Sequence, residues 1–396
     1  MWNQRLDRLQ EFPFRRLAAL LRGIDPPTGE TFDLALGEPR HEPPPLLAET
    51  VARHAHEWNR YPPVEGTRSF RAAVCAWLAR RYGLPTDALD PDRHVLPLAG
   101  TKEGLFLLPQ VLVPEGSTGP RPVVLVPNPV YAVYVGAAVL AGAEPVFLSA
   151  ERASNFLPDL DALDPELLAR TAALYLCSPA NPQGTIADRA YLARALRLAR
   201  AYGFLLVVDE CYAEIWDREP PPGALEVAWA ESRDFANLVV FHSLSKRSSA
   251  PGLRSGFVAG DPEVLRRFAR LRAYGAAVQP LPLMAAATAL WSDEAHVEAN
   301  RARYRRKIDA AERRLGNRFG FYRPPGGFFL WLEVGDGEAA AVRLWREGGV
   351  RALPGAYLAV PDAQGRDPGR PYLRLALVHE EEVLERALDR LVAVLG

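Results

Sequence analysis

Between residues 122 and 260 the chain repeats one pattern: a continuous apolar run, a loop, a helical segment, then another run. The runs are Val123-Val124-Leu125-Val126, Pro145-Val146-Phe147-Leu148, Ala172 to Cys177, Phe204 to Val208, and Leu238-Val239-Val240-Phe241. A strand that is apolar at every position has no face to give to water, so both sides must be covered. The helices between the runs supply that cover and predict an α/β unit on a mainly parallel sheet. Such sheets bind ligands beyond the carboxyl ends of their strands. There the sequence sets Tyr131, Asn181 in Asn181-Pro182-Gln183-Gly184, Asp209 and Tyr212 in Asp209-Glu210-Cys211-Tyr212, and Lys246 in Ser243-Leu244-Ser245-Lys246. Singly each has an ordinary reading as a turn, a cap or a half-buried aromatic. Five of them beyond successive strand ends point to one site.

Lys246 carries the clearest chemistry. A lysine prefers to keep its charge in water, and this one ends a strand among small hydroxyl residues. A desolvated amine loses its proton more easily and can attack a carbonyl to form a Schiff base. Arginine stays protonated and cannot do this. The chain has three lysines, Lys102, Lys246 and Lys307. Lys307 lies in the polar run Arg303-Tyr304-Arg305-Arg306-Lys307, which reads as a solvated helix face. Lys102 follows Gly100-Thr101 at the start of a helix, after the short apolar run Val95 to Ala99. Free amides and the positive dipole end at such a start suit a phosphate. The Walker spacing is missing, and Lys102 either adds charge there or points to solvent.

The flanks add weaker signals. Gly37-Glu38-Pro39 is a turn that either lets backbone approach a ligand or simply leads into the next helix, which is read from Leu46 to about Trp58. Tyr61 stands on the proline-stiffened loop Arg60-Tyr61-Pro62-Pro63, as an anion ligand or a surface aromatic. A long helix is expected from about Leu283 toward Leu315, then strands at 327–332 and 372–377, then a helix from Glu380 to Leu395. Arg374, between Leu373 and Leu375, faces opposite to them. It suits a bidentate carboxylate clamp or a structural ion pair.

Composition narrows the function classes. A chain of 396 residues exceeds one ordinary core, so two domains or one large α/β unit are expected. The net charge of −1, with no basic run interleaved with aromatics, argues against nucleic-acid binding. No apolar run reaches membrane-spanning length, and Met1 to Asp7 lacks a signal-peptide core. Cys75, Cys177 and Cys211 are scattered singly and read as small core residues, without disulfide or metal spacing. A cytoplasmic location is expected, with small-molecule partners, no metal, no nucleic acid and no membrane.

Together, Ser243-Leu244-Ser245-Lys246 with Arg254 eight residues on, Asn181-Pro182-Gln183-Gly184, Asp209 to Tyr212, Tyr61 with Gly66, and Arg374 resemble the fold-type I aminotransferases of class I/II, which use pyridoxal 5′-phosphate (PLP). The resemblance spans essentially the whole chain. Ala132 departs from it, because relatives often carry proline after the stacking aromatic. The resemblance implies fold type I: a mainly parallel sheet in a large domain, 46–282, with a smaller α+β domain from 1–45 and 283–396. It implies that Lys246 holds PLP and carries the proton, that Asp209 pairs with the pyridine nitrogen, and that Tyr212 and Asn181 bond the ring oxygen. Tyr131 would stack on the ring. Thr101, the backbone at Lys102, Ser243, Ser245 and Arg254 would hold the phosphate, joined by Tyr61 from the second subunit of a homodimer. Arg374, with Gly37 and Asn181 nearby, would bind the substrate carboxylate. The same cage serves a PLP-dependent carbon–sulfur β-lyase. A PLP-sensing regulator is disfavoured, since no DNA-binding helix pair or basic extension is attached.

Overall fold

The computed structural model describes residues 1–115 and 119–396. The apolar runs form a seven-stranded sheet in the order Val95–Leu98, Gly256–Gly260, Leu238–Ser243, Leu205–Asp209, Thr171–Cys177, Val123–Asn128, Glu144–Ser149. Gly256–Gly260 runs antiparallel to both neighbours, and every other pairing is parallel. Strand alternation divides the sheet's side chains between two cores. Leu206, Val208 and Val240 face a cluster with Trp77 and Trp291, while Leu205, Val207 and Val239 face Tyr134, Tyr175 and Phe268. The carboxyl ends of the parallel strands thus open on one edge, with helices closing both faces.

The helices start and stop where local chemistry directs. Thr67 accepts from the Phe70 amide at the head of Arg68–Tyr82, and Gly83 ends that helix at φ +64°. Asp188 accepts from the Tyr191 amide at the head of Arg189–Tyr202, and Gly203 ends it at φ +76°. These are the expected capping residues.

A second, three-stranded antiparallel sheet, ordered Leu353–Pro354, Tyr372–Ala376, Phe329–Glu333, has its own core. Helices Ala295–Leu315 and Glu381–Leu395 pack on it, with Tyr304, Ile308, Leu384 and Leu388 inward. Phe32–Asp33 pairs with Val350–Arg351, which ties the N-terminal segment to this C-terminal part.

Three expectations need correction. The long helix is two, Leu281–Ser292 and Ala295–Leu315. Asp293 is extended between them, and its carboxylate accepts from the His296 amide at 3.1 Å, a local bond that competes with continuing the helix. The helix read to Trp58 ends at Arg53 and resumes as a short 3₁₀ turn, Ala55–Glu57. Lys307 is not solvated: it is 2% exposed, because the charged run turns that position toward His41 and Tyr304. Among the described residues no helix is long and apolar enough to cross a membrane, and no group of three or more metal-ligating side chains is found.

Candidate active site

At the open edge of the large sheet lies a cavity of about 500 Å³. Its walls include Gly37, Thr101, Lys102, Tyr131, Asn181, Asp209, Tyr212, Ser243, Ser245, Lys246, Arg254 and Arg374. Every site residue named from sequence is therefore in this wall except Tyr61, which projects fully exposed from its loop. The cavity has a polar floor from the strand ends and an outer wall from the N-terminal segment.

The floor is Asp209, the last residue of its strand and 5% exposed. Its carboxylate accepts from the Tyr134 hydroxyl at 2.8 Å and from the Cys211 amide at 3.2 Å. Burial still pushes its pKa up, so the anion lacks a full counter-charge. A protonated ring nitrogen would supply one. Tyr134 was not singled out from sequence. It lies on the apolar helix Ala132–Ala141, and only the three-dimensional approach to Asp209 distinguishes it from a core aromatic. Cys177 and Cys211 also line this floor, Cys211 with its Sγ 3.1 Å from the Thr101 hydroxyl. They are not plain core residues as expected. Burial raises both thiols, which keeps them protonated and poorly nucleophilic.

Lys246 stands opposite, in the short helix Leu244–Arg247 that continues its strand. Its ammonium donates to the Gly37 carbonyl at 2.7 Å. Burial lowers its pKa from 10.5 to about 8, within reach of the neutral, nucleophilic form near physiological pH. Tyr212 is 8% exposed, its phenol proton held firmly by burial, which suits a donor to a ring oxygen. Tyr131, at the start of the next helix, meets Tyr134 edge-on at 5.5 Å between centroids.

One end suits an anion such as a phosphate. Gly100 has φ +84°, and a Cβ there would run into the Arg254 guanidinium. Arg254 itself takes a left-handed backbone, φ +51°, and donates to the Pro251 carbonyl at 2.9 Å. The helix Thr101–Leu107 begins at this end, with Thr101 buried. Ser243 caps the lysine helix, accepting from the Ser245 amide at 3.1 Å and donating to the Ser255 carbonyl at 3.3 Å. Ser245 lines the cavity beside it.

At the other end Arg374, on the strand Tyr372–Ala376, is 4% exposed. It donates to Asn181 Oδ1 at 3.0 Å and to the Ala35 carbonyl at 2.8 Å, and lies over the Phe329 ring at 4.4 Å. Its Nε has no partner, and burial lowers its pKa to about 10. A buried guanidinium without a carboxylate is costly unless a ligand provides one. The segment at Gly37 closes this end. A Cβ on Gly37 would come within 2.7 Å of the Phe329 ring.

The donor set therefore fits PLP: a desolvated amine, a buried acid for the ring nitrogen, an anion cradle and a carboxylate clamp. Residues 30–391 match the family described as aminotransferase class I and II. The chain belongs to that family. Class I/II aminotransferases are PLP-dependent enzymes that move amino groups between small amino acids and keto acids, and this chain is one of them. Its fold matches the crystal structure of an aminotransferase from Neisseria meningitidis, with a TM-score of 0.94 and 38% identity over all of both chains. Among curated relatives, 4-dedimethylamino-4-oxo-anhydrotetracycline transaminase OxyQ of Streptomyces rimosus is 34% identical, covering 97% of this chain and 99% of the relative. An LL-diaminopimelate aminotransferase of Desulforudis audaxviator is 32% identical, over 99% of this chain and 97% of that one.

Besides Tyr134, the site residues missed from sequence belong to the outer wall: Phe12, Pro13, Phe14, Leu36, Glu38 and Leu358. They come from an arm and loops with no motif. Only the wall's need for apolar cover, set against aromatic residues in an otherwise polar N-terminal segment, offered a signal.

Proposed function

We propose that this aminotransferase transfers the amino group of glutamate to N-succinyl-2-amino-6-oxopimelate, the succinyldiaminopimelate transaminase reaction of diaminopimelate and lysine biosynthesis. The observation that carries the reading is a pair of cations at separate points of one cavity. Arg374 is buried with an unused Nε, and Lys102 is exposed at the outer wall, its Nζ 5.0 Å from the Phe12 ring. A substrate with a carboxylate at each end can use both cations, whereas a short monocarboxylate leaves Lys102 unused. The relative from Desulforudis audaxviator, named for LL-diaminopimelate, is consistent with a long dicarboxylic substrate.

PLP, when bound, supplies an electron-withdrawing ring that takes up the electron pair left at the substrate Cα. Asp209 keeps the ring nitrogen protonated, and Tyr134 and the Cys211 amide hold Asp209 in place. Tyr212 and Asn181 hydrogen-bond the ring oxygen, and Tyr131 covers a ring face. Arg374 binds the α-carboxylate shared by donor and acceptor. Lys246 would hold the cofactor in the resting enzyme and, once released, its Nζ would take up and return the proton of the substrate Cα. Thr101, the Lys102 backbone, Ser243, Ser245 and Arg254 hold the phosphate. The large domain is 46–282, and 1–45 with 283–396 form the smaller one, which closes over substrate. The working form is a cytoplasmic homodimer.

The apolar part of the wall, Phe12, Phe14, Leu36 and Leu358, favours a second reading, an aromatic or bulky keto acid. Steady-state rates with the succinylated ketone, acetylornithine, oxaloacetate and phenylpyruvate separate the two. The first reading expects the highest kcat/KM for the succinylated ketone and a selective loss for it in Lys102→Met. An aromatic keto acid as the best acceptor, with Lys102→Met silent, would replace it by the second. Pyruvate and ammonia released from a cysteine conjugate, without glutamate-dependent turnover, would mark a β-lyase.

A further inference from the structure

Behind Lys246 runs a buried polar chain that the reaction above does not use. Lys307, on Ala295–Leu315, has its Nζ 2.6 Å from His41 Nε2. His41 Nδ1 lies 3.1 Å from Asn300 Oδ1. Asn300 Nδ2 donates to the carbonyls of Lys246 at 3.0 Å and Arg247 at 3.2 Å. The three side chains are 5% exposed or less.

The proton order in this chain is forced. Carbonyls only accept, so the Asn300 amide nitrogen must face them and its oxygen must face His41. That oxygen needs a donor, which places the His41 proton on Nδ1. The Nε2 lone pair is then left to accept from Lys307. The imidazole is held neutral: burial and the neighbouring Lys307 charge both lower its pKa. Lys307, Arg303 and the Tyr304 ring face it from the long helix, and Glu380 from the head of the C-terminal helix.

The chain also closes a circuit. His41 lies four residues after Gly37 on the same irregular segment, and the Gly37 carbonyl accepts from Lys246 Nζ at 2.7 Å. One side of the circuit grips the backbone of Lys246, and the other grips the loop that receives its amine. We propose that His41, set by Lys307, is a positioning residue: it ties the segment that carries Gly37 to Asn300, which grips the Lys246 backbone, and so keeps the Gly37 carbonyl where the Lys246 amine rests once it is released from the cofactor. Burying a lysine merely to fill space is unfavourable where a methionine would pack as well. A hydrogen-bond donor in that place has a use if the tautomer of His41 matters. The proposal rests on Lys246 being the nucleophile and proton carrier.

Three variants test it. His41→Ala breaks the circuit, His41→Gln keeps one donor and one acceptor in a neutral side chain, and Lys307→Met removes the tautomer lock. The first readout is kcat against pH in the PLP-loaded enzyme. The second is the ¹³Cε titration of the lysines in the cofactor-free full chain, where three lysines give an assignable spectrum. Expected for His41→Ala is a loss of about 10–100-fold in kcat, as for a misplaced catalytic group. Its Lys246 titration should move up by about one pH unit as water enters. His41→Gln should return both toward wild type. If folded His41→Ala leaves kcat and the Lys246 titration unchanged, or if His41→Gln is as impaired as alanine, the proposal is overturned. Should His41→Ala fail to fold, Lys307→Met carries the same two readouts. Failure of the underlying assignment looks different: Lys246→Ala would retain turnover whatever His41 does.

Discussion

At the residue scale the site is a balance of buried charges that each lack something. Asp209 is an acid whose burial outweighs its two hydrogen bonds. Asp209→Asn keeps the shape and removes the charge, which on the proposed role takes from the ring nitrogen the partner that would keep it protonated. The expected outcome is a folded protein that still binds PLP and loses at least about 100-fold in kcat, the scale of removing a preorganised electrostatic group. Near-wild-type amino transfer by PLP-loaded Asp209→Asn would remove this role. Lys307 carries a cost of the same kind. Its folded pKa, about 8, lies below the ordinary 10.5. Between those values the unfolded chain binds more protons than the folded one, so stability rises with pH across that window. Below pH 8 the penalty is fully present, about 3 kcal/mol at 1.36 kcal/mol per pH unit. Lys307→Met lacks this slope. Urea midpoints at pH 7 and pH 10 should show the variant losing ground to wild type as pH rises, whatever constant offset follows from leaving His41 without its donor. Parallel midpoints at both pH values would mean that the Lys307 pKa is ordinary.

At the scale of elements, the sequence is most legible where packing demands are one-dimensional. Fully apolar runs admit only a covered strand, and Asp209, Asn181, Tyr131 and Lys246 follow from where those runs stop. Caps such as Thr67 and Asp188 are likewise local. What the sequence hid depends on approach in space. Tyr134 becomes part of the site only because its helix brings the hydroxyl to Asp209. Lys307 sits in a run of arginines that looks solvated, yet the turn of the helix buries that one position against His41. The break at Asp293 is set by a side chain competing for an amide that the apolar periodicity on either side does not register. The phosphate end offers an element-scale prediction. The strand Val95–Leu98 passes into the helix Thr101–Leu107 through Gly100 at φ +84°, with the Arg254 guanidinium packed against its Cα. Gly100→Ala is strained by the backbone and displaces Arg254 as well. The backbone strain weakens folding in both states, whereas the displaced Arg254 costs the bound state a charge-assisted hydrogen bond of about 1.5–3 kcal/mol, so PLP affinity should fall by about tenfold or more. Fluorescence titration of the cofactor-free variant measures it, and an unchanged Kd would mean that Arg254 does not serve the phosphate.

At the scale of the whole molecule, the cavity of a single chain gathers every named residue but one. Tyr61 is fully exposed on a loop stiffened by Pro62 and Pro63, and Trp58 beside it is also exposed. Large aromatics held out in water are what a buried interface recruits. A tyrosine carried there can give its hydroxyl to a phosphate in a neighbouring subunit. In a symmetric dimer the exchange is reciprocal, each chain completing the other's site. Subunit mixing turns this geometry into a measurement. Lys246→Ala chains lack the proposed nucleophile, and Tyr61→Phe chains lack the hydroxyl proposed to be shared. A hybrid dimer holds one site with both defects and one site with native Lys246 from one chain and native Tyr61 from the other. Mixing the two variants should raise activity above the average of the separate proteins, toward half of wild type per hybrid dimer. With subunit exchange verified by mass, activity that stays at the average would place Tyr61 outside the partner's site and leave the phosphate to Thr101, Ser243, Ser245 and Arg254 of one chain alone.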